Sequence, residues 1–291
     1  MRYAVSHRTS YRYAAAVDLA QHMAHLRPRS FPGQSVTDCT LLVDPPPPAR
    51  TVHTDHFGNH VDSFRIEQAH TVLIIEMRST VDVALPAPPD PKTTPPWEEV
   101  RASLATAFPA SVTAAEFVHA SPLVAIGPEA IAYAQPSFPA GRPILTGALD
   151  LIRRIRADFT YTPGATDIST PLNEVFARRV GVCQDFAHVG IAALRALGLP
   201  AGYVSGYIRT YPRPGAAARR GADASHAWIA VWCGAETGWV HLDPTNDLVV
   251  RDEHVIVAWG RDFSDVSPVR GMILGGGAHH YGVSVDLRPL G

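Results

Sequence analysis

From Tyr3 to Tyr11 apolar and polar residues alternate loosely, and Thr71–Met77 is a run rich in β-branched and apolar side chains. Both patterns predict strands. Asp44-Pro45-Pro46-Pro47-Pro48 and Phe57-Gly58-Asn59 punctuate the stretch as turns. Only Leu19–Leu26 has spacing compatible with a helix. Residues 1–84 are therefore expected to form a small antiparallel β domain. Leu85–Pro96 reads as a proline-rich linker, and Trp97–Tyr133 as short helical pieces broken by proline, so 85–140 forms a connecting segment.

The period changes in 141–291. In Pro143–Arg156 the apolar positions Ile144, Ala148, Leu149, Ile152 and Ile155 mark one face of a helix. Thr170-Pro171, with Glu174 in the first turn, predicts a short helix capped by Thr170 and ending near Gly181. A third helix runs from Cys183 to Leu197 and is stopped by Gly198 and Pro200. Phe186, Val189, Ala193 and Leu197 line one side of it, and Ile191 and Leu194 make it apolar nearly all round. Such a helix belongs in the centre of a core. Three strands are predicted after it, at Gly202–Ile208, His226–Trp232 and Trp239–Leu242. The fold class that follows is α+β, an antiparallel β domain followed by a central helix against an antiparallel sheet.

Composition narrows the function. The 291 residues carry a formal net charge of -2 with no basic face or acidic tail, which argues against nucleic acid and anionic membrane as partners. No apolar stretch reaches the roughly 18 residues of a membrane helix. Met1–His7 has no apolar signal-peptide core. The three cysteines, Cys39, Cys183 and Cys233, are widely spaced and odd in number, as free thiols in a reducing compartment would be. A cytoplasmic location is the expectation.

One of these thiols has chemistry around it. Cys183 opens the apolar helix, where the positive end of the helix dipole favours a thiolate. His226 in Ser225-His226-Ala227-Trp228 and Asp243 in His241-Leu242-Asp243-Pro244-Thr245-Asn246 could supply the base and the group that orients it. His226 opens one predicted strand and Asp243 closes the next. An even-numbered turn between the strands puts both on one face. Oxyanion donors are expected from the Cys183 N–H and a second group, for which Gln184 and Tyr161 are the candidates; Trp228 either packs or walls the substrate cleft.

Other polar residues read as structural. His188 falls about 140° round the helix from Cys183 and suits the core. Cys39 and Cys233 suit packing. His53, Asp55, His56 and His60 read as turn polarity in preference to a metal cluster, and Arg261, Asp262 and Asp265 as an ion-pair knot.

Gly181-Val182-Cys183-Gln184-Asp185-Phe186-Ala187-His188, Ser225-His226-Ala227-Trp228 and Leu242-Asp243-Pro244-Thr245-Asn246 together resemble the three motifs of the bacterial transglutaminase-like superfamily. The segments Leu197–Tyr207 and Gly260–Gly271 fit as well, and the N-terminal region resembles the β-rich domain that accompanies this core in bacteria. The resemblance implies a papain-like core with Cys183 as nucleophile, His226 as base and Asp243 as its orienter. It implies a peptide or protein substrate and neither cofactor nor metal. Gly202 departs from the pattern, standing where an arginine is common.

The reading is a cysteine-dependent acyl hydrolase acting through a thioester, with amine transfer and a non-catalytic peptide-binding module as alternatives. Arg213, Arg219 and Arg220 in the Pro/Gly/Ala/Arg-rich stretch Tyr211–Asp223 would repel a lysine acceptor and so favour water.

Overall fold

The structure, a computed structural model, describes residues 1–105, 110–209 and 224–290. In chain order its first strands are β1 (Arg2–Ala24), β2 (Gln34–Asp44), β3 (Ala49–Thr54), β4 (His60–Ile66) and β5 (His70–Val83). Helices α1 (Trp97–Ser103), α2 (Ala110–Ala115), α3 (Pro128–Ala134) and α4 (Ile144–Asp158) follow. Then come β6 (Thr160–Tyr161), α5 (Leu172–Arg178), β7 (Val180–Gly181) and α6 (Cys183–Ala196). The chain closes with β8 (Ala201–Ile208), β9 (His226–Trp232), β10 (Trp239–Asp243), β11 (Leu248–Val249), β12 (His254–Gly260), α7 (Phe263–Val266), β13 (Val269–Gly275) and β14 (His279–Leu290).

β1 is the axis of the first sheet. Its leading half, Arg2–Tyr13, runs between β5 and β14; its trailing half, Val17–Ala24, is flanked by β4 and β13. Two findings differ from the sequence reading. Leu19–Leu26 is not a helix: β1 continues through Ala24, and Ala20, His22 and Ala24 are buried on alternate positions. Backbone pairing on both edges of the strand outweighs the weak local helical spacing. The second concerns residues 269–290, which the sequence reading grouped with the rest of 141–291: β13 and β14 pair with β1 and complete the N-terminal sheet.

The second sheet is antiparallel, in the order β11-β10-β9-β8-β12. It curls so strongly that β10 and β12, which are not neighbours, bring Asp243 and His254 within 3.5 Å. Val204, Trp228, Ala230, Val250 and Ile256 fill the inside of the curl. Ala227, Ile229 and Val231 alternate with them and face the main core, where α6 packs on β9. The α6 helix is buried from Cys183 to Arg195 apart from Gln184, as its nearly continuous apolar pattern predicts. At α5 the expected Thr170 cap is absent. Pro171 occupies the cap position, and the Thr170 hydroxyl accepts the Asp167 N–H at 3.0 Å instead.

Two buried amides join the sheets. Gln34 accepts the Ile256 N–H at 2.8 Å and donates to the Ile256 carbonyl at 2.7 Å. Asn59 makes the same pair of bonds with Trp259. Each amide thus satisfies backbone groups on β12 that a neighbouring strand would otherwise bond.

Candidate active site

The nucleophile candidate sits where three constraints meet. Val182 is extended, and Asp185, three residues on, accepts the Val182 N–H at 2.8 Å and the Thr166 hydroxyl at 2.7 Å. This ties down the start of α6 and leaves Cys183 as its first residue. Tyr161 pairs with Gly181 in the short parallel β6–β7 ladder, which fixes the approach to the helix. A Cβ on Gly181 would come within 3 Å of the Asp185 carboxylate, so the turn requires glycine. Cys183 retains 9% exposure, whereas most of the core has none.

The strand argument holds with a shift of register. The β9–β10 pairs run from Trp239 opposite Trp232 to Leu242 opposite Ile229. Continued by one residue, this sets Asp243 across from Trp228, two positions from His226 and on the same face. The His226 Nε2 meets Asp243 Oδ2 at 2.9 Å, with both side chains fully buried. The other ring nitrogen, Nδ1, is buried without a hydrogen-bond partner, and Cys183 contributes to the electrostatics of the ring.

Asp243 is saturated with donors. Its Oδ1 accepts the backbone N–H groups of Thr245 at 2.9 Å and Asn246 at 3.2 Å. Its Oδ2 takes His226, the Asn246 side-chain amide at 2.8 Å and His254 at 3.5 Å. Burial alone would favour the neutral acid, but the His226 charge and hydrogen bond, with His254 behind them, hold the carboxyl well below the usual range. The converse applies to His226. Burial would lower its proton affinity, yet the Asp243 charge, its hydrogen bond and the Cys183 thiol push the imidazole up to about 10. The arrangement holds a protonated imidazole against the Asp243 carboxylate.

The remaining candidates separate. Gln184, half-buried, lines a cavity beside the helix start. Tyr161 is half-buried, with its ring edge against Phe186 at 6.2 Å between centroids. Trp228 is fully buried inside the curl, donates to His241 Nδ1 at 3.2 Å and packs against His254. It supports the imidazole from beneath and does not wall a cleft. His188 is a core residue that accepts the Phe263 N–H at 3.3 Å, and burial lowers it to about 4. Arg261 and Asp265 form a two-bond ion pair while Asp262 caps α7. Tyr211–Asp223, with Arg213, Arg219 and Arg220, lies outside the described residues.

Three residues escaped the sequence reading as participants. Asp185 had a readable signal, an acidic residue at the third helical position. Asn246 had a weaker one, since Asp-Pro-Thr-Asn predicts a turn that folds back on its own aspartate. His254 had none, because only the curl of the sheet brings β12 to Asp243. Among the described residues the group with metal-ligand spacing is His226, Asp243 and His254, whose ligand atoms lie within 4.8 Å of one another. Their mutual hydrogen bonds account for that spacing. The histidines around His56 do not form such a group; His56 pairs with Glu116 at 2.9 Å and Asp55 closes its own turn through Asn59.

A cysteine at the start of a buried helix, packed on an antiparallel sheet that presents histidine and aspartate, defines a class before any comparison is made. The comparisons agree with it: residues 3–82 match the bacterial transglutaminase-like N-terminal region and residues 132–244 the transglutaminase-like superfamily. An uncharacterised protein of Mycobacterium tuberculosis is 41% identical over 301 residues, 99% of this chain and 93% of that one. One of Mycobacterium leprae is 30% identical over 293 residues, 99% of each. The chain belongs to the bacterial transglutaminase-like superfamily. A crystal structure from Cytophaga hutchinsonii, provisionally named a cysteine protease, has the same fold, with a TM-score of 0.77 at 21% identity over 99% of this chain and 90% of that one. Family and fold together support a cysteine-dependent enzyme. No helix among the described residues is long and apolar enough to cross a membrane.

Proposed function

We propose that the protein is a cysteine-dependent acyl hydrolase, acting on a peptide, isopeptide or amide through a thioester. The supporting observation is the fully buried 2.9 Å His226–Asp243 pair, with the second ring nitrogen of His226 left without a hydrogen-bond partner and Cys183 at the start of α6. Cys183 Sγ attacks the acyl carbon, and the carbonyl π electrons move to oxygen. The Cys183 backbone N–H at the start of α6 is the donor assigned to that oxyanion. Collapse breaks the acyl–nitrogen bond, and the leaving amine takes the proton from His226. A water then gives its proton to His226 and adds to the thioester; the acid leaves and Cys183 is restored. Asp243 holds the imidazole and stabilises its charged form throughout.

Water is the acceptor in this reading, supported by the protease name given to the Cytophaga hutchinsonii neighbour. The test has two parts. Iodoacetamide should label Cys183 before Cys39 or Cys233, because burial raises both other thiols, Cys233 to about 12. Mass spectrometry showing Cys39 or Cys233 labelled first would remove Cys183 as nucleophile. Incubation of an acyl donor with a millimolar primary amine should give more acid than amide; amide in excess would make the enzyme a transglutaminase with the same triad.

A further inference from the structure

A cavity of about 420 Å³, in the size range of ligand sites, is lined by Val182 and Gln184, the residues on either side of Cys183 in the chain, though not by Cys183 itself. Its floor includes Val182, Gln184 and Asp185, the residues around Cys183, and its walls include Asp167, Ile168 and Tyr281. Those walls come from different parts of the fold. Asp167 and Ile168 belong to the loop between β6 and α5, while Tyr281 is on β14, in the N-terminal sheet.

The three walls have complementary chemistry. Asp167 Oδ1 is occupied within its loop, by the Ser169 N–H at 2.8 Å and hydroxyl at 2.6 Å. These bonds hold the carboxyl below its ordinary range, so it is ionised at neutral pH. Among the described residues no ion pair uses it. Arg178, which donates to Ala165 of the same loop, is paired with Glu174. Tyr281 is 70% exposed and offers a ring face, and Ile168 is 57% exposed and offers an apolar one. A carboxylate and an aromatic face both attract a cation, and the apolar wall suits a methylene stem. Lysine and arginine side chains combine those two parts.

We propose that this cavity receives a lysine or arginine side chain of the acyl donor, with Asp167 and Tyr281 as its specificity-determining residues. The inference rests on Cys183 being the nucleophile. It gives the N-terminal sheet a part in the reaction, since β14 carries one wall of the subsite.

The test uses the full chain and tripeptidyl chloromethyl ketones that end in lysine, norleucine or glutamate. The rate of Cys183 alkylation is read by mass spectrometry, with iodoacetamide as a probe that makes no use of the cavity. The lysine reagent should react fastest and the glutamate reagent slowest. Asp167→Asn keeps the oxygen that accepts from Ser169 and removes the charge; it should cut the lysine preference about fivefold, the upper range for an exposed ion pair. Tyr281→Leu should cut it about threefold, as loss of an exposed cation–π contact does. Iodoacetamide rates should be unchanged in both variants. Equal rates for the lysine and glutamate reagents with normal iodoacetamide labelling would overturn the inference alone. Unreactive Cys183 toward iodoacetamide would overturn the functional reading and the inference with it. An unchanged lysine preference in Asp167→Asn would also overturn the assignment.

Discussion

Histidines removed from water reach opposite results in this protein, and the sheet does not decide which: His241 of the curled sheet is lowered to about 4. In the N-terminal sheet His7 and His22 are lowered to about 4 by burial. His7 is satisfied by neutral partners, the Thr9 hydroxyl at 3.0 Å and the Tyr207 hydroxyl at 3.1 Å. His22 lies between Tyr11 and Phe64, with His70 adding a further depressing charge. In the curled sheet His226 is equally buried and is pushed up to about 10. The desolvation has the same sign at every one of these positions. One carboxylate, itself fixed by five donors, reverses its outcome, so the proton that a buried histidine carries is decided by its partner.

The largest expected effect removes the reversed histidine. His226→Ala should lower turnover by at least about a thousandfold, and combining it with Cys183→Ala should cost little more, because the groups act as a unit. Full activity in His226→Ala would break the comparison at its root. Asp243→Asn comes next, with a loss of up to about ten-thousandfold if the wrong tautomer forms and less if the imidazole keeps its orientation. Its more telling readout is the pH profile. The wild-type alkaline limb of kcat/KM should fall near 10, where His226 loses its proton, and should move toward about 6.5 in the variant. A limb that stays near 10 would dissociate the raised imidazole from Asp243.

Stability against pH sharpens the contrast, because the two kinds of histidine act with opposite sign. A raised folded value, as at His226, gives stability that is fully present below about 6.5 and lost as pH rises to about 10. A lowered value, as at His22, means the unfolded chain binds the proton first, so stability is lost as pH falls from about 6.5 to about 4. His22→Phe should therefore remove on the order of 2–3 kcal/mol of the acid-side loss, measured as the change in urea unfolding free energy between pH 7 and pH 4. An identical acid slope in the variant would show that His22 is not buried neutral. The smallest expected effect is that of a chelator. EDTA should leave activity unchanged, while added zinc should inhibit by occupying His226, Asp243 and His254. Restoration of a chelated enzyme by zinc would assign that trio a metal in place of a proton.

Local signals were strong where the chain satisfies itself within a few residues. The α6 helix, its start at Cys183 and the paired strands β9 and β10 were readable from apolar periodicity and turn residues, and so was the shared face of His226 and Asp243. The candidate triad followed from those elements because strand parity is a short-range property. Other features depend on which distant segments meet. The stretch Leu19–Leu26 read as helix until two flanking strands claimed its backbone. Trp228 read as a possible cleft wall, but the inward face of a curled sheet buries it. Periodicity states which side a residue faces, and not what lies on that side. The amino-acid sequence by itself determined the candidate catalytic residue types, their order and the secondary structure that carries them. Only the tertiary structure decided that β14 returns to β1 and brings Tyr281 beside Gln184, and that β12 folds over to give Asp243 its second histidine. Both outcomes follow from long-range strand pairing, whose energy is spread over many backbone hydrogen bonds and leaves no local mark on the residues it brings together.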